Sequence, residues 1–295
     1  MTTTTTMTTT TTMTQANINA VICELSIGVW TARKLDKAAS REVKNSKGAN
    51  SDDAARVNKN LMAGMDNLKK VTEFVSLVRA DFYAMTLPWS DSGQRLVPMA
   101  QFFELKQWLN DKDNEYRALV DNFLCEYPNL ISAQAFQLGD LFNRNEYPTA
   151  EEIRGKFKFS TCFLPLPTAG DFRVDCVQEV KDEMINEYEQ ILMNRINSVS
   201  TDLWERLHTT LKHMSERLGY DEAGKAKVFR DTLVDNAVDL CDLLKKLNIT
   251  NDPKLESARR ELESTLLGVN AGELRRTGAR EEVKARIDRT LDAWF

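Results

Sequence analysis

From Leu61 onward, apolar residues return every seven positions. Leu61, Leu68, Val75 and Phe82 form one register, and Gly64, Val71, Val78 and Met85 form a second, offset by three. An a/d repeat held for more than three heptads commits the segment to a helix with one continuous buried seam. The pattern predicts a single helix over 52–86, about 50 Å long at 1.5 Å per residue. Ser51 or Asp52 is placed to cap it, and Pro88 to stop it. Leu61, Leu68, Val71, Val75, Val78, Phe82 and Met85 then form a candidate interaction seam. Either another helix of this chain or a second copy must cover it.

A second long helix is expected at about 177–218, where Val177, Val180, Met184, Tyr188, Ile191/Leu192, Val199, Leu203, Leu207, Leu211, Met214 and Leu218 step by threes and fours. Strand-like sequence precedes both helices. Residues 21–31 alternate, with Val21, Cys23, Leu25, Ile27 and Val29 on one face and Trp30 on the other. Residues 156–164 alternate Lys156 and Lys158 with Phe157 and Phe159 until Pro165 and Pro167 end the run. Asp171–Asp175 is a third short candidate strand. Between the long helices the sequence predicts a loop at 87–98, with an extended piece at 94–97. A helix opening at Pro98 should end at Tyr127-Pro128 after an interruption near Asp111–Asp113, with a shorter helix near 131–142 beyond it. Thr149-Ala-Glu-Glu152 reads as a capping box. Shorter helices are expected at 226–247, 253–267, 271–276 and 280–294.

The economical architecture is α+β and strongly helix-dominated. The two long amphipathic helices pair as a coiled-coil-like stalk, with a small sheet near one end and a helical C-terminal region. The expected division is a Thr-rich disordered tail at 1–17, an α+β region at 18–175 and a helical region at 176–295. Within the tail, MTTTTTMTTTTTMT has too little apolar surface to offset the entropy of ordering. Met7 and Met13 are alternative initiators there.

Several chemistries lack a motif. No G-x-x-x-x-G-K-[ST], no strand-following G-x-G-x-x-G and no G-x-S-x-G occurs, so neither catalytic nor cofactor-binding residues are assigned. The only two histidines, His208 and His213, are about 140° apart on a helix and cannot share a metal. Glu205-x-x-His208 is half of a di-iron motif without its second copy, so no metal ligands are assigned either. Glu183 and Glu187 share a helix face, best read as solvated. Five scattered cysteines, Cys23, Cys125, Cys162, Cys176 and Cys241, read as reduced thiols buried as small hydrophobes. No apolar run approaches the length of a membrane span, and the N-terminus has no secretory pattern, so a cytoplasmic protein is expected. The terminal Trp294-Phe295 reads as a last turn docked on the helical region.

Nucleic acid is the other partner class the residues allow. Residues 31–50 hold six Lys/Arg against two acids, within a chain of net charge −5. Arg33, Lys34, Lys37, Arg41, Lys44 and Lys47, with Lys156 and Lys158, are candidate phosphate contacts. The C-terminal arginines alternate with glutamates, as on an ordinary salt-bridged helix surface.

Leu87-Pro-Trp89, Phe123-Leu124 with Tyr127-Pro128, Tyr147-Pro148-Thr149, and Lys156–Pro167 running into Asp171-Phe-Arg173 together resemble a family encoded by bacteriophages, conjugative plasmids and integrative elements. The resemblance covers about half of the chain, from Leu25 to Asp175. It implies a mobile-element origin, a bacterial host cytoplasm and gene neighbours such as MoxR-type AAA+ ATPases and von Willebrand A domain proteins. The family has no assigned activity, so it lends no catalytic residue. The expectation is a non-enzymatic accessory protein that self-associates or binds protein partners, an AAA+ ATPase among them. The alternative is a nucleic-acid-binding accessory in DNA recombination or processing.

Overall fold

The computed structural model describes residues 18–51, 53–167 and 177–295. The Thr-rich tract, Asp52 as a cap and the strand expected at 171–175 lie outside them. The strands are β1 (Ala20–Gly28), β2 (Arg33–Asp36), β3 (Val57–Asn60), β4 (Leu87–Pro88), β5 (Arg95–Pro98) and β6 (Lys158–Pro165). The helices are α1 (Lys37–Ser46), α2 (Asp66–Met85), α3 (Met99–Leu138), α4 (Ala150–Arg154), α5 (Gln178–Leu218), α6 (Thr232–Leu247), α7 (Pro253–Leu266) and α8 (Thr277–Trp294). The class is α+β with helix dominant. One sheet runs β4-β5-β1-β6, and β2 and β3 form a separate antiparallel pair. In the larger sheet Ala20 pairs with Pro98 and Cys23 with Arg95, while Leu87 pairs with Leu96. No helix among the described residues is long and apolar enough to cross a membrane.

The described chain forms two compact units. The first holds 18–23, 85–103, 163–167 and 177–295; the second holds 24–84 and 104–162. This grouping differs from the contiguous 18–175 region expected from the sequence. Leu87, Trp89 and Leu96, on and beside the β4–β5 hairpin, bury with the α5 stripe, which draws 85–103 into the unit of the C-terminal helices.

In the first unit, Leu192, Ile196, Val199, Leu203, Leu207, Leu211, Met214 and Leu218 form the buried stripe of α5. They meet Leu233, Ala237 and Leu244 of α6, Leu255 and Leu262 of α7, and Val283 and Ile287 of α8. Asp252 caps α7 by accepting from the backbone N–H groups of Lys254 and Leu255, with Pro253 at the first helical position. The terminal aromatics dock as expected. Trp294 and Phe295 lie 6.1 and 5.5 Å from the Trp204 ring, and Phe295 lies 4.6 Å from His208.

In the second unit, Leu68, Val71, Val75 and Val78 of α2 cluster with Tyr116, Val120, Phe123, Leu124, Tyr127 and Ile131 of α3. Buried tyrosine hydroxyls satisfy backbone carbonyls: Tyr116 donates to Gly28, Tyr127 to Pro148 and Tyr147 to Leu61. Burial pushes the Tyr116 and Tyr127 hydroxyls up to about 12. The capping box at Thr149 and Glu152 is present, with both reciprocal hydrogen bonds made.

Three local readings change. The helix expected over 52–86 begins only at Asp66, because 57–60 pair with β2 and Gly64 turns the chain at φ +72°. The basic segment 31–50, for which no element was expected, holds β2 and α1. Finally, α3 runs unbroken through Asp111–Asp113 and past Pro128. A proline inside a helix costs about 3 kcal/mol. Phe123, Leu124, Tyr127 and Ile131 are all buried on either side of it, and that burial outweighs the local penalty. The acids near 111–113 are satisfied along the helix surface, where Arg117 pairs with Asp113 and Lys112 with Glu115.

Candidate functional site

The seam residues Leu61, Leu68, Val71, Val75, Val78 and Phe82 are all buried, Val71 and Val78 almost completely. Met85 is half-buried. Leu68, Val71, Val75 and Val78 face the second unit's own core. Leu61 reaches that core from the turn after β3, where its N–H donates to Ala32 O at 2.7 Å. The stripe of α5 is covered by α6, α7 and α8. The stalk expected from pairing α2 with α5 is therefore not how either stripe is covered.

The candidate cations separate into two places. Arg33 and Lys34 on β2 and Lys37, Arg41 and Lys47 in and beside α1 are exposed, and Lys44 is half-buried. Lys44 helps hold the Asp53 carboxyl below its ordinary range, after the stronger effects of Ser51 and the Asp53 backbone. Lys156 and Lys158 are also exposed, while Phe157 and Phe159 pack on the core as expected for a half-buried strand. Lys158 lines a groove with Arg117, Arg154, Asp113 and Asp121. There Arg154 pairs with Asp121 at 2.8 Å and Arg117 with Asp113 at 2.9 Å, so both arginines are offset and Lys158 is the groove's excess cation.

Arg33 stands in a second groove. It lines a space of about 620 Å³ with Trp30, Asn60, Met65, Asp66 and Lys69 at the start of α2. The Trp30 and Tyr127 rings meet in a T-shaped contact at 5.7 Å, on the aromatic core. Arg33 has no ion-pair partner among the described residues, and Lys69 makes only an exposed pair with Glu73 at 3.5 Å. Asn60 accepts from the Met62 N–H through Oδ1.

The local backbone explains why these side chains meet. Ala32, fully buried, sits at φ +53° in the link between β1 and β2. A left-handed alanine costs about 1–2 kcal/mol, and the bond from Leu61 N–H to its carbonyl holds it in place. The hairpin is also pinned from below. Lys59, buried on β3, lies 2.6 Å from Glu146 and 3.3 Å from Asp36, and donates to Leu141 O at 2.9 Å. Asp36 also caps α1 by accepting from Ala39 N–H. That backbone bond, more than Lys59, holds its carboxyl below the ordinary range. Ser40 completes the attachment: its hydroxyl donates to Asp36 O and accepts from Val57 N–H.

Trp30, Asn60 and Lys69 were not picked out from the sequence as site residues. The one available signal was Trp30 three positions before Arg33, because the other two come from elements whose placement depends on the β2–β3 pairing. Among the described residues no group of His, Cys, Asp or Glu could hold a metal ion. Cys23 and Cys241 are buried as expected, but Cys125 and Cys162 are exposed on α3 and β6, and Cys176 lies outside the described residues. Comparison with known proteins gives no match to any family model, curated protein or solved structure.

Proposed function

We propose that the chain is a non-enzymatic accessory protein whose second unit binds single-stranded nucleic acid. The observation that carries this is the shared groove of Trp30 and Arg33. An indole anchored on the aromatic core and lining an open groove offers surface for a base, and a guanidinium with no ion pair among the described residues suits a backbone phosphate beside it. Lys37 and Arg41 are further exposed cations on α1, the helix that follows β2. The resemblance to mobile-element proteins supports a role in DNA recombination or processing within a bacterial host.

The test is fluorescence anisotropy of labelled oligothymidine at rising salt. Tight binding at low salt that weakens steeply is expected, with Arg33→Ala and Trp30→Phe both weaker. No binding at 25 mM salt, or variants that bind like the parent, would remove the proposal.

A second reading, assembly with protein partners, is supported by the first half of α5. Val180 and Ile191 there, and Val177 at its N-cap, are 47, 42 and 65% exposed. The partner in this reading is a second copy of the chain or a MoxR-type AAA+ ATPase, the latter from the family resemblance alone. Light scattering after size-exclusion chromatography tests the first of these, and a monomer at every concentration ends it. Co-purification with the ATPase from element-bearing cells tests the second.

A further inference from the structure

The first unit contains a separate groove of about 670 Å³ that the proposal above does not use. One wall is the last turns of α5, with Thr209, His213 and Arg217; the other is the segment 228–230 and the first turn of α6, with Phe229, Arg230 and Thr232. Its lining includes three potential cations and no carboxylate. Arg217, Arg230 and His213 make no ion pair or side-chain hydrogen bond among the described residues. The acid next to Arg230, Asp231, is engaged by Arg275.

The two walls are tied together. Arg280, only 4% exposed, donates from Nη2 to the carbonyls of Arg217, Gly219 and Lys227 and from Nε to that of Leu218, at 2.6–3.2 Å. Its guanidinium also lies 5.4 Å from the Phe229 ring. One buried cation therefore holds the end of α5 and the strand-like approach to Phe229 at a set spacing. The intervening turn is closed by Lys227 N–H to Gly219 O and Asp221 N–H to Lys225 O. A groove held in this way is preformed, which lowers the ordering cost of binding.

We infer that this groove binds a phosphorylated small molecule of nucleotide size, with its phosphate on Arg217 and Arg230. Guanidinium forks match the oxygens of a phosphate, and Thr209, Thr232 and His213 add further donors. The volume is within the range of small-molecule sites and exceeds what a bare anion fills. Phe229, Met214 and Val228 supply apolar surface for the rest of the ligand. The inference rests on the first unit alone and is independent of the Trp30 groove.

The experiment is calorimetric titration of the full chain with adenosine monophosphate, inorganic phosphate and adenosine at low salt. Adenosine monophosphate should bind more tightly than inorganic phosphate, and adenosine should bind weakest. Arg217→Ala and Arg230→Ala should each weaken adenosine monophosphate by about tenfold or more, as expected for a lost charged hydrogen bond. Both side chains are exposed, so circular dichroism should be unchanged. Arg33→Ala, in the other unit, should bind it like the parent. No heat from adenosine monophosphate at millimolar concentration would overturn the inference. So would unaltered affinity in both arginine variants, or adenosine binding as well as its phosphate.

Discussion

Lys59 Nζ lies 2.6 Å from Glu146 Oε2, joining the β2–β3 hairpin to a turn far along the chain. Asp36 is the ammonium's second carboxylate, 3.3 Å away, and the Lys59 side chain is only 7% exposed. Removing the lysine would leave two carboxylates facing each other beside a buried cavity. Lys59→Ala should destabilise the second unit by about 3 kcal/mol or more, read by urea unfolding. Lys59→Met, which refills the volume, should cost less.

The same cluster sets a pH window. Desolvation works against the Lys59 charge, but the bonds to Glu146 and Asp36 outweigh it, so its pKa is raised. A raised amine contributes fully below its ordinary value near 10.5 and is lost as pH climbs through the raised one. The Asp36 carboxyl is held low, so its contribution is present above 3.8 and fades as pH falls below that. The contribution of this ion cluster to the second unit's melting temperature should therefore be level between these limits and fall outside them. A Lys59→Met chain should lose the alkaline fall that comes from this group.

Phe82 decides whether the heptad stripe is core or contact surface. It is 2% exposed, so Phe82→Ala should cost about 3–5 kcal/mol. The loss should be the same at every protein concentration, because no second chain is needed to bury the ring. A melting temperature that rises with concentration in the parent and not in the variant would contradict this.

In the first unit, α7 holds a charge cluster whose effect lies at acid pH. The hydrogen bonds from Arg259, and then Arg260, hold Glu256 down at about 2. Arg259 itself is buried and forked onto Glu256, with Glu263 as second acceptor. A depressed carboxyl stabilises the fold above its ordinary value near 4.5, and that contribution is lost as pH falls toward 2. Thermal melts of the parent and Glu256→Gln should differ most above pH 5 and converge near pH 2.

For nucleic acid, the salt slope isolates the phosphate term. If Arg33 contacts one phosphate, Arg33→Ala should reduce the slope of log K against log salt by about 0.7. Trp30→Phe should weaken binding at all salt concentrations and leave the slope unchanged, since stacking releases no counterions.

Much of the helical plan was legible along the chain. The period of α5, the capping box at Thr149, the alternation of Lys156–Phe159 and the docking of Trp294 all follow from patterns that a short stretch of residues carries by itself. The Trp30 groove was only partly legible. Arg33 stood out by charge, but Lys69 looked like one cation on a long helix and Asn60 like part of its first turns.

Local spacing could specify that Leu68, Val71, Val75 and Val78 lie on one apolar face, because side-chain direction on a helix depends only on neighbouring backbone angles. It could not specify that α3 would cover that face, nor that α3 would continue through Pro128. Those outcomes depend on the area buried between segments distant in sequence, which outweighs a local penalty of a few kcal/mol. Likewise, residues 57–60 became a strand only because β2 supplied the backbone partners that a helix would otherwise have provided within the segment.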